Sequence, residues 1–469
     1  MSSLVTKYEK YRGNLDYINS YKTAQNASSG SKYDANANVE TMNVATMAGE
    51  VPKGDMIGTN RLRVYDQLSV MFDKELAEFF LRDVEDHLVY VHDETSLFPY
   101  CCSITMYPFL FKGLTAIGGP SVAPKNLDSF CGSFINLVFA VSSQFAGACS
   151  TPELFLYLDY FIRKDYGDDY YTRINDVVDL SSRHRTIKKI IEDCFEQIVY
   201  TLNVPAAARN YQSVFHNVAY FDHPYFDGMF GEFVFPDGTE PMWESLSYLQ
   251  KHFMTWFNKE RSRRPLTFPV ETMNLLDDGK KFVDDEWADF TAEMWSKGHS
   301  FFLYRSDSVD SLASCCRLRN EVQDNTFSYT LGAGGISTGS KKVITININR
   351  LVQNAVRENI PIHEAVKAQV SRVHKYLLAY NEIYHDYFRS NLLPIYDAGF
   401  IALDKQFLTV GINGFLEGAE FLGIDPTPND QYYEYAETIL HPIYEMNRAA
   451  RTEHAMFNTE FVPKHKWAR

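Results

Sequence analysis

Apolar side chains recur at two spacings along the chain, and each spacing predicts one kind of element. Helical spacing begins at Arg61 and continues to Phe80 with charged residues between the apolar positions, which predicts one amphipathic helix. The same spacing predicts further helices within residues 128–164, 183–202 and 362–388. Long helices therefore account for much of the predicted structure.

Strand-like segments lie between these helices. β-Branched and aromatic residues predict an extended segment over residues 88–107, and shorter strands within 265–276 and 341–350. Because strands and helices follow each other in turn, the pattern predicts an α/β sheet or barrel. No repeat of fixed period interrupts this order.

One helix start is marked by its residues. Ser150 or Thr151 is a good N-cap, Pro152 suits the first helical position, and Glu153 adds negative charge to the first turn. This combination predicts that a helix begins directly after Thr151.

Composition narrows the class of protein. Hydrophobic residues make up 45% of the 469, with 34 Phe and 30 Tyr, which is typical of a globular chain with a large core. The net charge of −15 repels a phosphate backbone, so nucleic-acid binding is not expected. Neither a signal-peptide core nor a long apolar run occurs, so we expect a cytoplasmic protein with no membrane contact.

The cysteines do not form a disulfide or zinc pattern. There are seven, an odd number, with two adjacent pairs and no C-x-x-C spacing. Adjacent cysteines bond to each other only with strain, so we expect individually placed thiols in a reducing compartment. The seven are Cys101, Cys102, Cys131, Cys149, Cys194, Cys315 and Cys316.

The two cysteine pairs are candidates for chemistry. Cys315 and Cys316 precede Arg317 in a predicted connection, where a neighbouring cation could lower a thiol pKa, although an incidental role is equally consistent with the spacing. Cys101 and Cys102 end a predicted strand. Because strand side chains alternate, at most one of them can face a given cavity.

Two segments rich in small residues could approach a ligand closely. Residues 331–340 are rich in small residues and lead into a predicted strand, so they form either a ligand loop or a tight turn. Residues 409–423 form a second such loop that enters a helix. Neither matches a phosphate loop or dinucleotide fingerprint, and no H-E-x-x-H or G-x-S-x-G motif supports hydrolase chemistry.

Eight phrases in order resemble the catalytic subunit of anaerobic (class III) ribonucleotide reductases. Together they cover roughly residues 35 to 460, and their order makes the resemblance specific although each phrase alone would be weak. They are VHDETSLFPYCC, VSSQFAG with PELFLYLDYF, LNVPAAARNYQS, FGEFVFPDGT, TFPVETMNLL, SLASCCRLRN, FSYTLGAGGISTGSKKVITINI and GFIALDKQFLTVGINGFLEGAEFLG.

The resemblance implies a fold and a set of roles. The family has a ten-stranded α/β barrel with inner finger loops and surrounding helices, and it makes deoxyribonucleotides for DNA replication. By resemblance, Cys316 carries a thiyl radical that abstracts the ribose 3′-hydrogen, with Cys315 as the other candidate in the pair. Cys101 lies across the substrate and is oxidised as the 2′-hydroxyl leaves. The residues placed near the substrate are Gly334, Gly335, Ser337, Gly339, Ser340, Asn413 and Gly414.

The resemblance also divides the chain and marks one departure. We expect an extended or helical segment over residues 1–60 and the barrel over 61–469. Family members continue into a zinc-binding segment with a radical-storing glycine, whereas here the last glycine is Gly423 and the last cysteine is Cys316. A split enzyme, inactive alone, is favoured over a degenerate remnant or a shortened chain.

The expected partners follow from the family. They are a separate glycyl-radical polypeptide, a radical-SAM iron–sulfur activase, a ribonucleotide substrate, allosteric nucleotide effectors and a second copy in a homodimer, with no metal or cofactor bound by this chain itself. Two other functions stay open: a nucleotide-binding barrel without chemistry, and another glycyl-radical enzyme of the pyruvate formate-lyase type.

Overall fold

A computed structural model describes residues 3–23, 43–180, 183–205, 212–307, 309, 311–314, 318–321 and 336–461. In these residues helices and strands alternate as the pattern predicts, and one large apolar core joins most of them. No helix of the described ranges is long and apolar enough to cross a bilayer.

The helices of the described residues are α1 Ser3–Tyr8, α2 Arg12–Thr23, α3 Val44–Glu50, α4 Lys53–Met71, α5 Lys74–Glu85, α6 Tyr107–Lys112, α7 Leu127–Ser142, α8 Leu154–Tyr166, α9 Ile187–Asn203, α10 His223–Phe230, α11 Trp243–Arg261, α12 Asp285–Ser296, α13 Ile348–Glu358, α14 Ile362–Arg389, α15 Pro394–Asp397, α16 Phe415–Phe421 and α17 Asp430–Ala449.

The strands are β1 Val89–Val91, β2 Cys101–Ser103, β3 Cys149–Ser150, β4 Val177–Leu180, β5 Arg183–Thr186, β6 His216–Phe221, β7 Val270–Leu276, β8 Phe302–Ser306, β9 Ser311–Ser314, β10 Leu318–Glu321, β11 Thr338–Asn347, β12 Gln406–Asn413 and β13 Met456–Phe461.

The main sheet is mixed and curls into part of a barrel. Its order is β13-β12-β11-β2-β3-β6-β7-β8, and β1 also pairs with β11. The set from β2 to β8 is parallel, the set from β11 to β13 is parallel, and the two sets meet where β11 runs antiparallel to β2. The predicted α/β barrel type is confirmed. The described residues contribute nine strands to the sheet, against ten predicted.

The two faces of the sheet differ in chemistry. Cys102, Cys149, Val218, Ile344 and Val410 belong to the large apolar core that the helices cover. This helix-covered side is the outer face. Because strand side chains alternate, the residues between these positions point to the other side, which we call the inner face.

The helix predicted from Arg61 to Phe80 is two helices. α4 ends at Met71 and α5 begins at Lys74, because Asp73 is extended and its carboxylate accepts a hydrogen bond from the Leu76 amide as an N-cap. α4 also begins before Arg61, at Lys53, so it runs through the predicted division at residue 60.

The predicted helix start at Thr151 is wrong. Ser150 belongs to β3, the Thr151 hydroxyl pairs with Nε2 of His216 at 2.8 Å, and α8 begins only at Leu154 with Glu153 at its N-cap position. Since the hydroxyl is engaged by the neighbouring strand, it is not available to cap the helix. The helix expected over residues 183–202 likewise begins later, at Ile187.

Candidate functional site

The first cysteine pair divides between the two faces, as predicted. Cys101 is 3% exposed and packs with Ala148, with Tyr100 and Phe215 against them, apart from the main core. Cys102 is fully buried in the main core on the helix side. Cys101 is therefore the cysteine of this pair on the inner face.

Strand β11 places two predicted site residues opposite this pair. Ser340 is in register with Cys101, and Gly339 with Cys102. The Ser340 hydroxyl shares a 2.8 Å hydrogen bond with the Thr409 hydroxyl on β12. Ser340 thus lies beside Cys101 on the inner face, and Thr409 of the neighbouring strand β12 holds its hydroxyl in place.

Gly339 is required by the closeness of β2 and β11. Its φ is +151°, and an added Cβ would lie 2.3 Å from the Cys101 carbonyl oxygen and 2.9 Å from the Cys102 Cα. Both distances are shorter than any side chain can occupy, so another residue there would push the strands apart. The sequence prediction placed Gly339 near the substrate; the structure gives it this packing role.

Two residues not predicted as part of the site hold the Cys101 backbone. Gln406 is fully buried, and its Nε2 donates to the Cys101 carbonyl oxygen at 3.0 Å. The Tyr396 hydroxyl donates to Gln406 Oε1 at 2.6 Å, and burial raises the pKa of Tyr396 well above its usual value, so this phenol stays a donor. The only sequence signal was a glutamine at the start of an apolar strand.

The parallel strands carry a row of neutral polar side chains on the inner face. The Ser150 hydroxyl donates to Asn217 Oδ1 at 3.1 Å, and Asn217 Nδ2 donates to the Thr272 hydroxyl at 3.0 Å. Ser103, in register with Ser150, begins this row two residues after Cys101. Sequence reasoning missed the row because each member is an ordinary polar residue in a short strand, and only the register joins them.

The second predicted small-residue loop is partly strand. Thr409 to Asn413 were expected in a loop, but they belong to β12, where their N–H and C=O groups pair with β11 and β13. Asn413 ends the strand with a buried Oδ1 that has no hydrogen-bond partner. Gly414 follows in the left-handed region, with φ +66°.

The structure brings only some predicted residues together. Gly339 and Ser340 lie beside Cys101, whereas Asn413 is four residues beyond Thr409, about 13 Å farther along the sheet. Ser337 precedes β11, and its hydroxyl donates to the Phe400 carbonyl at 3.4 Å.

Four predicted site residues lie outside the described ranges: Gly334, Gly335, Cys315 and Cys316. Strands β9 and β10, which flank residues 315–317, pair as an antiparallel hairpin. β9 has Cα atoms within 8 Å of β6, β7 and β8, and β10 has Cα atoms within 8 Å of β11, although the hairpin pairs with none of them. The hairpin therefore lies against both sets of the main sheet.

The cations nearest the site point away from it. Lys341 is an extra residue at a bulge in β11, and both it and Lys342 are buried, which lowers the pKa of each to about 8. Lys341 Nζ donates to the His454 carbonyl, while Lys342 Nζ lies 4.7 Å from the centre of the Tyr380 ring on α14. Among the residues that the structure describes, the side chains named above beside Cys101 on the inner face are therefore neutral.

Among the described residues, no group of three or more His, Cys, Asp or Glu side chains is arranged to hold a metal ion.

Comparison with known families and structures gives one consistent result. The model of a family described as anaerobic ribonucleoside-triphosphate reductase matches residues 51–468. A comparison with curated proteins gave no match.

Three crystal structures of the anaerobic ribonucleotide reductase from Thermotoga maritima are similar to this chain. The one with citrate in the active site is 28% identical with a TM-score of 0.79, over 99% of this chain and 79% of that chain. The complex with dATP and CTP is 29% identical with a TM-score of 0.78, over 91% and 70%. The one with dATP in the specificity site is 28% identical with a TM-score of 0.80, over 97% and 73%.

Proposed function

Because the chain belongs to the family of anaerobic ribonucleoside-triphosphate reductases, we propose that it reduces ribonucleotides to deoxyribonucleotides on the inner face of its sheet. The observation that carries the proposal is the placement of Cys101. This thiol lies on the polar face, beside Ser340 and at the junction of the two strand sets, where a ligand could contact both.

The two cysteine sites would have different roles. Cys316, outside the described residues, would hold the unpaired electron and remove the ribose 3′-hydrogen. Cys101 would supply reducing capacity as the 2′-hydroxyl leaves. In balance, the ribonucleotide takes up two electrons and two protons and releases one water. The electrons come either from formate, which leaves as CO2 and gives one of the protons while solvent gives the other, or from a dithiol protein, which gives both protons and becomes a disulfide.

The surroundings of Cys101 support this role. A sulfur radical and a radical substrate need a closed site with little water, since water and small oxidants would divert the reaction. Cys101 is 3% exposed, and Ser340 and Gln406 are fully buried. The Gln406 amide and the close packing at Gly339 fix the strand that carries the thiol.

We further propose that the unpaired electron comes from a glycyl radical on a separate polypeptide, generated by a radical-SAM activase. The arrangement would be overturned if the natural chain continued into a segment that carried the radical glycine itself.

Effector binding is part of the same proposal. The similar Thermotoga structures contain dATP in a specificity site and CTP together with dATP. We propose that this chain forms a homodimer, binds a ribonucleoside triphosphate as substrate and binds a deoxynucleotide as effector.

The decisive experiment is an anaerobic assay of deoxynucleotide formation. The full chain is mixed with the glycyl-radical polypeptide, the activase and CTP, and formate or a reduced dithiol protein is supplied in parallel reactions. Cys101→Ser and Cys316→Ser should each abolish product, because serine can neither carry the radical nor be oxidised in its place.

Cys194→Ser is the matched control. Cys194 lies on α9, 8% exposed in the main core, so its loss should leave turnover unchanged. Product formation by Cys101→Ser would refute the role of that thiol, and absence of product from the unmodified chain with every partner and reductant would refute the reductase proposal.

A further inference from the structure

One hydroxyl on the inner face has no partner. Ser103 is fully buried, and its Oγ makes no hydrogen bond. Its neighbour in register, Ser150, is by contrast bonded to Asn217, which is bonded to Thr272. Buried hydroxyls are normally satisfied, so an unsatisfied one beside a satisfied row requires an explanation.

The position of Ser103 places it within reach of a ligand that contacts Cys101. The two residues alternate with Cys102 on β2, so both point to the inner face, and their Cα atoms are about 6.6 Å apart. This separation is comparable with the width of a ribose ring and its first substituents. A nucleotide whose ribose lies against the Cys101 thiol therefore extends over Ser103 or toward β11.

The chemistry of the row indicates which part of a nucleotide Ser103 would contact. Ser103, Ser150, Asn217 and Thr272 are all neutral, with hydroxyl and amide groups that both donate and accept. A triphosphate would require cations or several free amide N–H groups. Ribose hydroxyls and base edges need only neutral donors and acceptors, as this row provides.

We infer that Ser103 is a substrate-binding residue whose hydroxyl hydrogen-bonds the nucleoside part of the ribonucleotide. The inference rests on the proposed function and deepens it. In the free protein this hydroxyl is held without a partner, and the bound nucleotide supplies the missing one.

The test compares stability and binding, because the inference predicts that they separate. Ser103→Ala removes a buried group that has no partner, so the melting temperature of the full chain should be unchanged or higher. The same change should raise the Kd for CTP roughly tenfold, as expected for one lost hydrogen bond. Both are measured on the full chain, by thermal denaturation and by calorimetry.

Ser245→Ala is the matched control. Ser245 is also fully buried, but its hydroxyl donates to Asp159 Oδ2 at 2.8 Å, far along the chain on α11. This variant should lower the melting temperature and leave the Kd for CTP unchanged at a temperature where the protein is folded.

Competition by inorganic triphosphate identifies the contacted part. Ser103→Ala should leave the triphosphate affinity unchanged, since the contact is with the nucleoside. An unchanged Kd for CTP, a melting temperature lowered as in Ser245→Ala, a failure to fold, or an equal loss of triphosphate affinity would each overturn the inference. Failure of the unmodified chain to bind CTP at all would instead refute the proposed function.

Discussion

At the scale of single residues, the site depends on how closely two backbones approach. Gly339 allows β11 to lie against Cys101 and Cys102 without a side chain between them. Gln406 then reaches the Cys101 carbonyl from the next strand. The thiol position is thus set by groups that never need to touch a substrate.

Gly339→Ala should be severely destabilising. The new Cβ would meet the Cys101 carbonyl oxygen at 2.3 Å, and the contact is with backbone, which cannot rotate away. We expect a loss of more than about 4 kcal/mol in the free energy of unfolding, in the range reserved for severe packing errors. Chemical denaturation of the two proteins measures it.

Gly118→Ala is the control for backbone strain alone. Gly118 also has a positive φ, +83°, but nothing lies within 4 Å of an added Cβ. Gly118→Ala should lower the free energy of unfolding by about 1–2 kcal/mol. Similar losses for the two variants would show that conformational strain, not the close strand contact, explains the Gly339 effect.

Single residues also show which parts of the site could be predicted from the sequence. Gly339, Ser340 and the thiol of Cys101 were predicted as site residues through the family resemblance, which the cysteine pair and the small-residue segment help to carry. Gln406, Tyr396 and Ser103 were missed. Their importance arises from which strands are neighbours, and the spacing of residues within one strand carries no such information.

At the scale of elements, a buried carboxyl ties the ends of two strands together. Glu153, just after β3, accepts hydrogen bonds at Oε2 from the Met106 amide at 2.7 Å and the Thr105 hydroxyl at 3.1 Å, both just after β2. Burial raises the pKa of Glu153 from 4.5 to about 8. The sequence placed Glu153 in the first turn of a helix, whereas α8 begins only at Leu154, because the Thr151 hydroxyl is bonded to His216.

Glu153→Gln should change how stability depends on pH. Because the folded-state pKa lies above the unfolded one, the carboxyl stabilises the fold fully below about pH 4.5, and this contribution is lost as pH rises toward 8. The amide does not titrate. The free energy of unfolding of the variant, relative to that of the native protein, should therefore rise by about 1.4 kcal/mol per pH unit across this window.

Melting temperatures at pH 5 and pH 8.5 measure the effect. The melting temperature of Glu153→Gln minus that of the native protein should be larger at pH 8.5 than at pH 5. Parallel pH profiles for the two proteins would mean that Glu153 is ionised at neutral pH in the folded state.

Element boundaries show the same limit on prediction. The strands around Cys101 and the long helix α14 were expected from their periodicity and are present. The division between α4 and α5 was not, because the apolar spacing continues across it while the Asp73 cap ends one helix and begins another. Spacing predicts that a helix exists, and local side-chain bonds decide where it begins.

At the scale of the whole molecule, the two sets of parallel strands meet at the candidate site. The antiparallel pairing of β2 with β11 covers three residue pairs, from Cys101 with Ser340 to Ser103 with Thr338. The sequence predicted the α/β class and, through resemblance, the barrel type. It could not predict this junction, since the paired residues are more than two hundred positions apart.

Substrate binding should rigidify this junction. A ligand that touches both strand sets adds contacts across their pairing, so local opening there becomes rarer. Hydrogen exchange with and without CTP should show increased protection at residues 101–103 and 338–340, and little change in the separate two-stranded sheet of β4 and β5. Equal slowing throughout the chain, or protection confined to other strands, would contradict a site at the junction.

The difference between the two faces of the sheet has a consequence for mutational scans. Near the site, positions such as Cys102, Cys149 and Val218 contribute to the apolar core, and the neighbouring positions Cys101, Ser150 and Asn217 lie on the inner face. A mutational scan scored by protein abundance should therefore be most sensitive at the core positions. A scan scored by turnover should be most sensitive at the inner-face positions between them. Superimposed, the two profiles would interleave with a two-residue period, and a residue such as Gly339, sensitive in both, would mark where the chain's folding and its chemistry depend on the same atoms.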